Sequence, residues 1–159
     1  MTPASRANVT SSFTVIKGAM INEAYAALAA WDLERSKREN LDRLRSENFI
    51  GARSAAWLRD VAWVLSRRFD PGGRDQSLVI LAKQGVSLDE WKPLMLWHMT
   101  RDEFLVRDFL ETWLFNEHEA GAFRIRSEDV EEYLGSIAKR GAKVEHAWSK
   151  RTTKEVAAS

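Results

Sequence analysis

Apolar positions recur at three- and four-residue steps along most of the chain. Two-residue alternation is almost absent, so helices are expected and a strand-rich fold is not. The densest pattern lies at 102–117. There Leu105, Val106, Phe109, Leu110, Trp113 and Leu114 share one side of a helix, while Phe104 and Phe115 fall opposite, beside Asp108 and Glu111. The apolar arc covers roughly half the circumference, wider than the stripe of an ordinary surface helix. This stretch is expected to be the central helix of an all-helical domain, with neighbours on more than one flank.

The remaining elements follow in order. Residues 1–12 are small and polar and are expected to form a flexible tail. A first helix runs through Ile16, Met20, Ala24, Ala27, Leu28 and Trp31, weakened near its start by Gly18. Asp32 is the expected N-cap of a second helix, to about Asn48, with a narrow apolar stripe of Leu33, Leu41 and Leu44 and a stop at Gly51. Ser54 caps a third, with Trp57, Leu58, Val61, Ala62, Leu65 and Phe69 inward. Asp70-Pro71-Gly72-Gly73 ends it. A short helix spans about 75–84. Ser87 and Glu90 form a capping box for the next, which carries Pro93 in its first turns and ends around 100–102. Beyond the central helix, Gly121 gives a turn and Ala122 to Arg126 is short enough to be extended. Ser127 then caps a helix with Val130, Tyr133, Leu134 and Ile137 inward and Lys139 and Arg140 at its end. The expected architecture is a bundle of about seven helices over 13–140. A linker and the start of a C-terminal helix, capped by Ser149, follow over 141–159. That last helix stops before its apolar face is complete, so the chain is expected to be truncated.

Composition is that of an ordinary globular protein of 159 residues, 45% hydrophobic and 30% charged. Seven Trp supply much buried area per residue. Cysteine is absent, which excludes disulfides and thiolate metal sites and is compatible with a cytoplasmic location. No apolar run is long enough to span a membrane. The net charge of +1 hides a segregation along the chain. Residues 34–69 hold nine basic and five acidic residues, 70–135 hold seven and fourteen, and 139–154 hold six and one. Two basic blocks flank an acidic middle. Brought together in space, the blocks would make a seat for a polyanion.

Catalysis has little support. His98, His118 and His146 lack the i, i+4 partner that places two imidazoles on one metal, and Glu117-His118-Glu119 does not converge on a helix. Gly72-Gly73 lacks the lysine and spacing of a phosphate loop. No catalytic residue, cofactor or metal is expected. Nucleic-acid contact is better supported. Arginine forks match phosphate oxygens, and Arg38, Arg53, Arg59, Arg67 and Arg68 crowd one block. Lys150, Arg151 and Lys154 open the last helix, and its junction with the preceding one has a loose helix-turn-helix character.

An ordered set of segments resembles the BrxA family of bacteriophage-exclusion (BREX) defence systems: Ser12-Phe13-Thr14, the run Glu47 to Ser54, Arg107-Asp108-Phe109, and Trp148-Ser149 with Thr152, Thr153 and Lys154. The similarity runs from Ser12 to the end. It implies an all-helical fold similar to the NusB antitermination factor, no enzymatic activity, and DNA binding. It carries over Arg53 and Ser54, and Ser149, Thr152 and Lys154, as binding residues; the other cations named above rest on charge alone. The expected partner is DNA, with RNA as the alternative ligand. The alternative function is an interaction scaffold that docks other phage-defence components on an acidic face of Phe104, Asp108, Glu111 and Phe115.

Overall fold

The computed structural model describes residues 9–139, 143–144 and 147–158. The fold is all-α, with one two-residue parallel ladder between β1 (Val9–Thr10) and β2 (Lys143–Val144). The helices are α1 (Phe13–Ile16), α2 (Ile21–Ala29), α3 (Lys37–Glu47), α4 (Ala55–Arg68), α5 (Gln76–Lys83), α6 (Leu88–Asp102), α7 (Phe104–Asp108), α8 (Phe115–Glu119), α9 (Ser127–Lys139) and α10 (Lys150–Ala158). A π-helical segment, Phe109–Leu114, joins α7 to α8. The expected linker at 141–147 and the residues Arg140 and His146 lie largely or wholly outside the described residues.

Contacts group the chain into two compact units. One is Met20–Trp97, the other Met1–Ala19 with His98–Ser159. The boundary falls inside α6.

In Met20–Trp97, α2 packs on α5 and α4, and α3 packs on α4. The buried residues include Ala24, Leu28, Trp31, Leu44, Val61, Leu65, Phe69, Val79 and Trp91, the apolar positions of the helical pattern. Tyr25 ties the end of this unit to α2. Its ring meets Trp91 edge-on at 5.4 Å, and its hydroxyl donates to the Val86 carbonyl at 2.8 Å. Ser54 and the Ser87–Glu90 box act as expected. Ser54 Oγ accepts from Trp57 N at 3.1 Å, and the Ser87 hydroxyl donates to Glu90 at 2.7 Å.

Three local features differ from the pattern. The first helix is split: Gly18 has φ +69° and Met20 φ 50°, left-handed backbone that no α-helix tolerates. The second helix begins at Lys37, capped by Ser36 in a box with Glu39 rather than by Asp32. Asp32 instead accepts from Glu34 N, and the Asn40 side chain bridges the Asp32 main chain from both sides, which fixes a turn ahead of the helix. Its end is set by Asn48 at φ 46°, whose side chain closes on Ala52 N and O, before Gly51 is reached.

The other unit is built on Leu105, Tyr133, Leu134, Ile137 and Val156, with Val15, Phe104, Phe109, Trp113, Val130 and Trp148 packed against them. The central helix expected at 102–117 is interrupted. Glu103 leaves helical geometry at φ −120°, ψ 107°, and Arg107 closes the end of α6 by donating to the Thr100 carbonyl at 3.1 Å. The following π-helical segment adds close to one residue per turn. The 3.6-residue register therefore slips. Phe109 and Trp113 still meet, at 5.2 Å, and both contact Tyr133. Leu110 and Leu114 rotate out and line a surface groove with Phe115, His118, Ala122 and Ile125. Phe104, assigned outward by the pattern, packs into the core, and the Asp108 carboxylate accepts from the Tyr133 hydroxyl at 2.8 Å. Helix α9 includes Ser127, and Asp129 receives the Arg126 N–H at 2.8 Å. Val9, Thr10 and Ser11 are buried, so this part of the expected tail is structured.

Candidate nucleic-acid interface

Most cations of the first basic block are paired. Arg35 meets Asp32 at 3.0 Å, Arg43 meets Glu47 at 3.3 Å, and Asp42 sits between Arg45 at 2.9 Å and Arg38 at 3.9 Å. Lys37 donates to the main-chain carbonyls of Ser66 and Phe69, both at 2.6 Å, so it closes the C-terminus of α4. Arg53 and Arg59 are exposed and have no such partner among the described residues.

Helix α4 explains the arrangement. Arg59 and Trp63 follow one another at i, i+4 on its outer side, and Trp63 is 47% exposed; Arg67, four residues further, is half-buried with its Nε shut off from solvent. Trp57, expected inward, sits in the first turn and is 39% exposed. Arg68 is the exception among the arginines. It falls seven residues after Val61, on the inner stripe, and is 1% exposed. It is withdrawn from any ligand that stays in solvent, which corrects its expected place among the phosphate-contacting arginines. Ser54 places its hydroxyl on the first turn of α4, as described above.

The second basic block lies on α10. Ser149 caps this helix, accepting from Thr152 N at 3.1 Å, and its hydroxyl also lies 3.0 Å from Thr152 Oγ1. Arg151 is held by Glu155 at 2.8 Å. That hydrogen bond, followed by the carboxylate charge, raises its pKa above the ordinary guanidinium value. Lys150 and Lys154 share a face at i, i+4, are exposed, and have no partner among the described residues. Both basic blocks thus contain unpaired cations on a helix or at its start. Each block lies in its own unit.

The exposed indoles of Trp57 and Trp63 were missed by reasoning from sequence. The i, i+4 spacing of Trp63 between two arginines was the available signal.

The family model of BrxA matches residues 10–159, nearly the whole chain. The chain belongs to the BrxA family. With that membership goes a role in bacteriophage-exclusion defence. No curated protein and no solved structure matches the chain. No helix among the described residues of this BrxA-family protein is long and apolar enough to cross a membrane.

Proposed function

We propose that this BrxA-family protein is a non-enzymatic, cytoplasmic DNA-binding component of phage defence that holds the phosphate backbone. The observation that carries the reading is the set of unpaired cations Arg53, Arg59, Lys150 and Lys154, standing among neighbours already tied to carboxylates or carbonyls. A paired cation has little to offer a phosphate, whereas an unpaired one can replace condensed counterions directly. Trp57 and Trp63 beside Arg59 add faces for stacking and for cation–π contact, a combination suited to nucleic acid. Phosphate contacts position the protein without reading sequence, so weak sequence preference goes with the mechanism.

The test is fluorescence anisotropy with a labelled duplex from about 50 to 200 mM salt, where affinity should fall log-linearly with a slope near −0.9 per phosphate contacted. Arg53→Glu with Arg59→Glu, and Lys150→Glu with Lys154→Glu, should each weaken binding and flatten that slope by about 2. Unchanged affinity in both double variants overturns the reading. An RNA duplex of the same sequence serves as competitor, and stronger competition by RNA would reassign the ligand.

A second reading, docking of another defence component, is favoured by one observation. Phe115, Phe123 and Ile125 are exposed near the groove of Leu110 and Leu114, and Phe123 is wholly so. This replaces the face centred on Phe104 and Asp108, whose side chains are engaged within their own unit.

A further inference from the structure

A second feature of the unit that carries Lys150 and Lys154 is a groove of about 440 Å³, lined by Thr10, Leu134, Gly135, Ile137, Trp148 and Thr153. Its volume falls in the range of roughly 300–1,000 Å³ typical of small-molecule sites. The walls come from β1, α9, α10 and the segment just before α10 that holds Trp148, and three of their properties converge.

The first is an orphan hydroxyl. Thr10 is 2% exposed, and its Oγ1 has no hydrogen-bond partner among the described residues. Buried polar atoms are nearly always satisfied, and those left without a partner call for an occupant able to supply one. The second is the aromatic wall. Trp148 is half-buried, packed on the core while it also lines the groove. The third is Gly135, in the interior of α9. A Cβ there would meet nothing within 4 Å, so the fold itself does not require glycine. Glycine inside a helix is disfavoured relative to alanine, and its presence where the groove opens leaves room for something to approach the helix backbone.

A purely aliphatic occupant would leave Thr10 unsatisfied, and a strongly charged one would be desolvated against Leu134 and Ile137. A flat heterocycle with a polar edge suits all three properties. Lys150 stands one turn before Thr153 on α10, and Lys154 directly after it, so unpaired cations border the same helix.

We propose that this groove seats one unstacked nucleobase, with its ring against Trp148 and its polar edge on the Thr10 hydroxyl, while Lys150 and Lys154 hold flanking phosphates. The proposal rests on the nucleic-acid reading above and deepens it. Backbone contacts alone treat paired and unpaired strands similarly, whereas a base seat selects nucleic acid in which a base is already out of the stack. The protein would then prefer single strands, or duplexes with an unpaired base, to continuous duplex.

The experiment titrates the full chain with a labelled single strand, its perfect duplex, and that duplex carrying one unpaired base, at fixed salt. The single strand and the bulged duplex should bind on the order of tenfold more tightly than the perfect duplex. Gly135→Ala should remove most of that preference while leaving the perfect-duplex affinity unchanged and the Tm equal or higher, because alanine favours the helix. Thr10→Val, which keeps the shape without the hydroxyl, should lower single-strand affinity severalfold. A strand carrying one iodouracil should crosslink on irradiation to the peptide that contains Trp148. If the perfect duplex binds as tightly as the single strand and Gly135→Ala changes neither, the base seat is wrong and the phosphate-binding reading stands. If neither nucleic acid binds, both fall. If Gly135→Ala displaces an apolar dye from the groove but leaves oligonucleotide binding intact, the groove serves another ligand and the proposal is overturned.

Discussion

The Lys37 ammonium donates to the Phe69 main-chain carbonyl at 2.6 Å across 32 residues of sequence. A cation that charge counting assigns to a polyanion therefore closes the end of a helix, complementing its dipole and its free carbonyls. Arg59, on the outer side of that same helix, has no such task.

The two residues should respond in opposite ways. Lys37→Met removes charge-assisted hydrogen bonds to α4 and should destabilise the protein by about 1–3 kcal/mol, read by urea unfolding. Its DNA affinity, measured under conditions where the variant is folded, should be unchanged. Arg59→Glu should leave the unfolding midpoint within about 0.5 kcal/mol of the parent, as expected of an exposed unpaired side chain, and weaken DNA binding. The reverse pattern would mean that the free cation is structural and the buried contact is the binding one.

Ser54 is a residue that family resemblance places at a binding site and geometry places at an N-cap. Ser54→Ala should cost about 1 kcal/mol of stability, and Ser54→Asp should restore it, since aspartate caps equally well. If the hydroxyl acts only as a cap, Ser54→Ala leaves affinity for DNA unchanged once the protein is folded. A loss of affinity with no loss of stability would make it a direct contact.

The capping boxes make stability depend on pH. The Ser36 side chain, then its backbone N–H, lowers the Glu39 pKa below its ordinary 4.5, and Ser87 acts on Glu90 in the same order. A carboxylate depressed in the folded state stabilises it above the unfolded pKa, and that contribution is lost as pH falls through the lower folded value. Denaturant unfolding stepped downward from pH 6 should show this loss below about 4.5. Glu39→Gln with Glu90→Gln should flatten that part of the acid limb. An acid limb that is the same in both proteins would show that these hydrogen bonds do not persist in solution.

Much of this architecture is local and was readable along the chain. Ser54, Ser87 with Glu90, and the stop near Asp70-Pro71 depend on residues within a turn of one another, so helix type and several boundaries follow from spacing alone. The inner stripe of α4 was legible too, and Arg68 lay on it at seven residues from Val61, where its charge argued against the geometry. Family membership was likewise carried by short ordered segments.

Other features required distant parts of the chain to meet. The π-helical segment shifts the register after Phe109, turning Leu110 and Leu114 outward. Pattern analysis assumes a constant 3.6-residue period and has no means of detecting such a slip. Lys37 reaches carbonyls on another helix, Thr10 lies beside Trp148 from the opposite end of the sequence, and Gly135 borders a groove that exists only when α9 and α10 pack. Charge and composition identify which side chains are capable of a contact. Three-dimensional packing decides which of them already have one, because pairing energy depends on distance and not on order along the polymer.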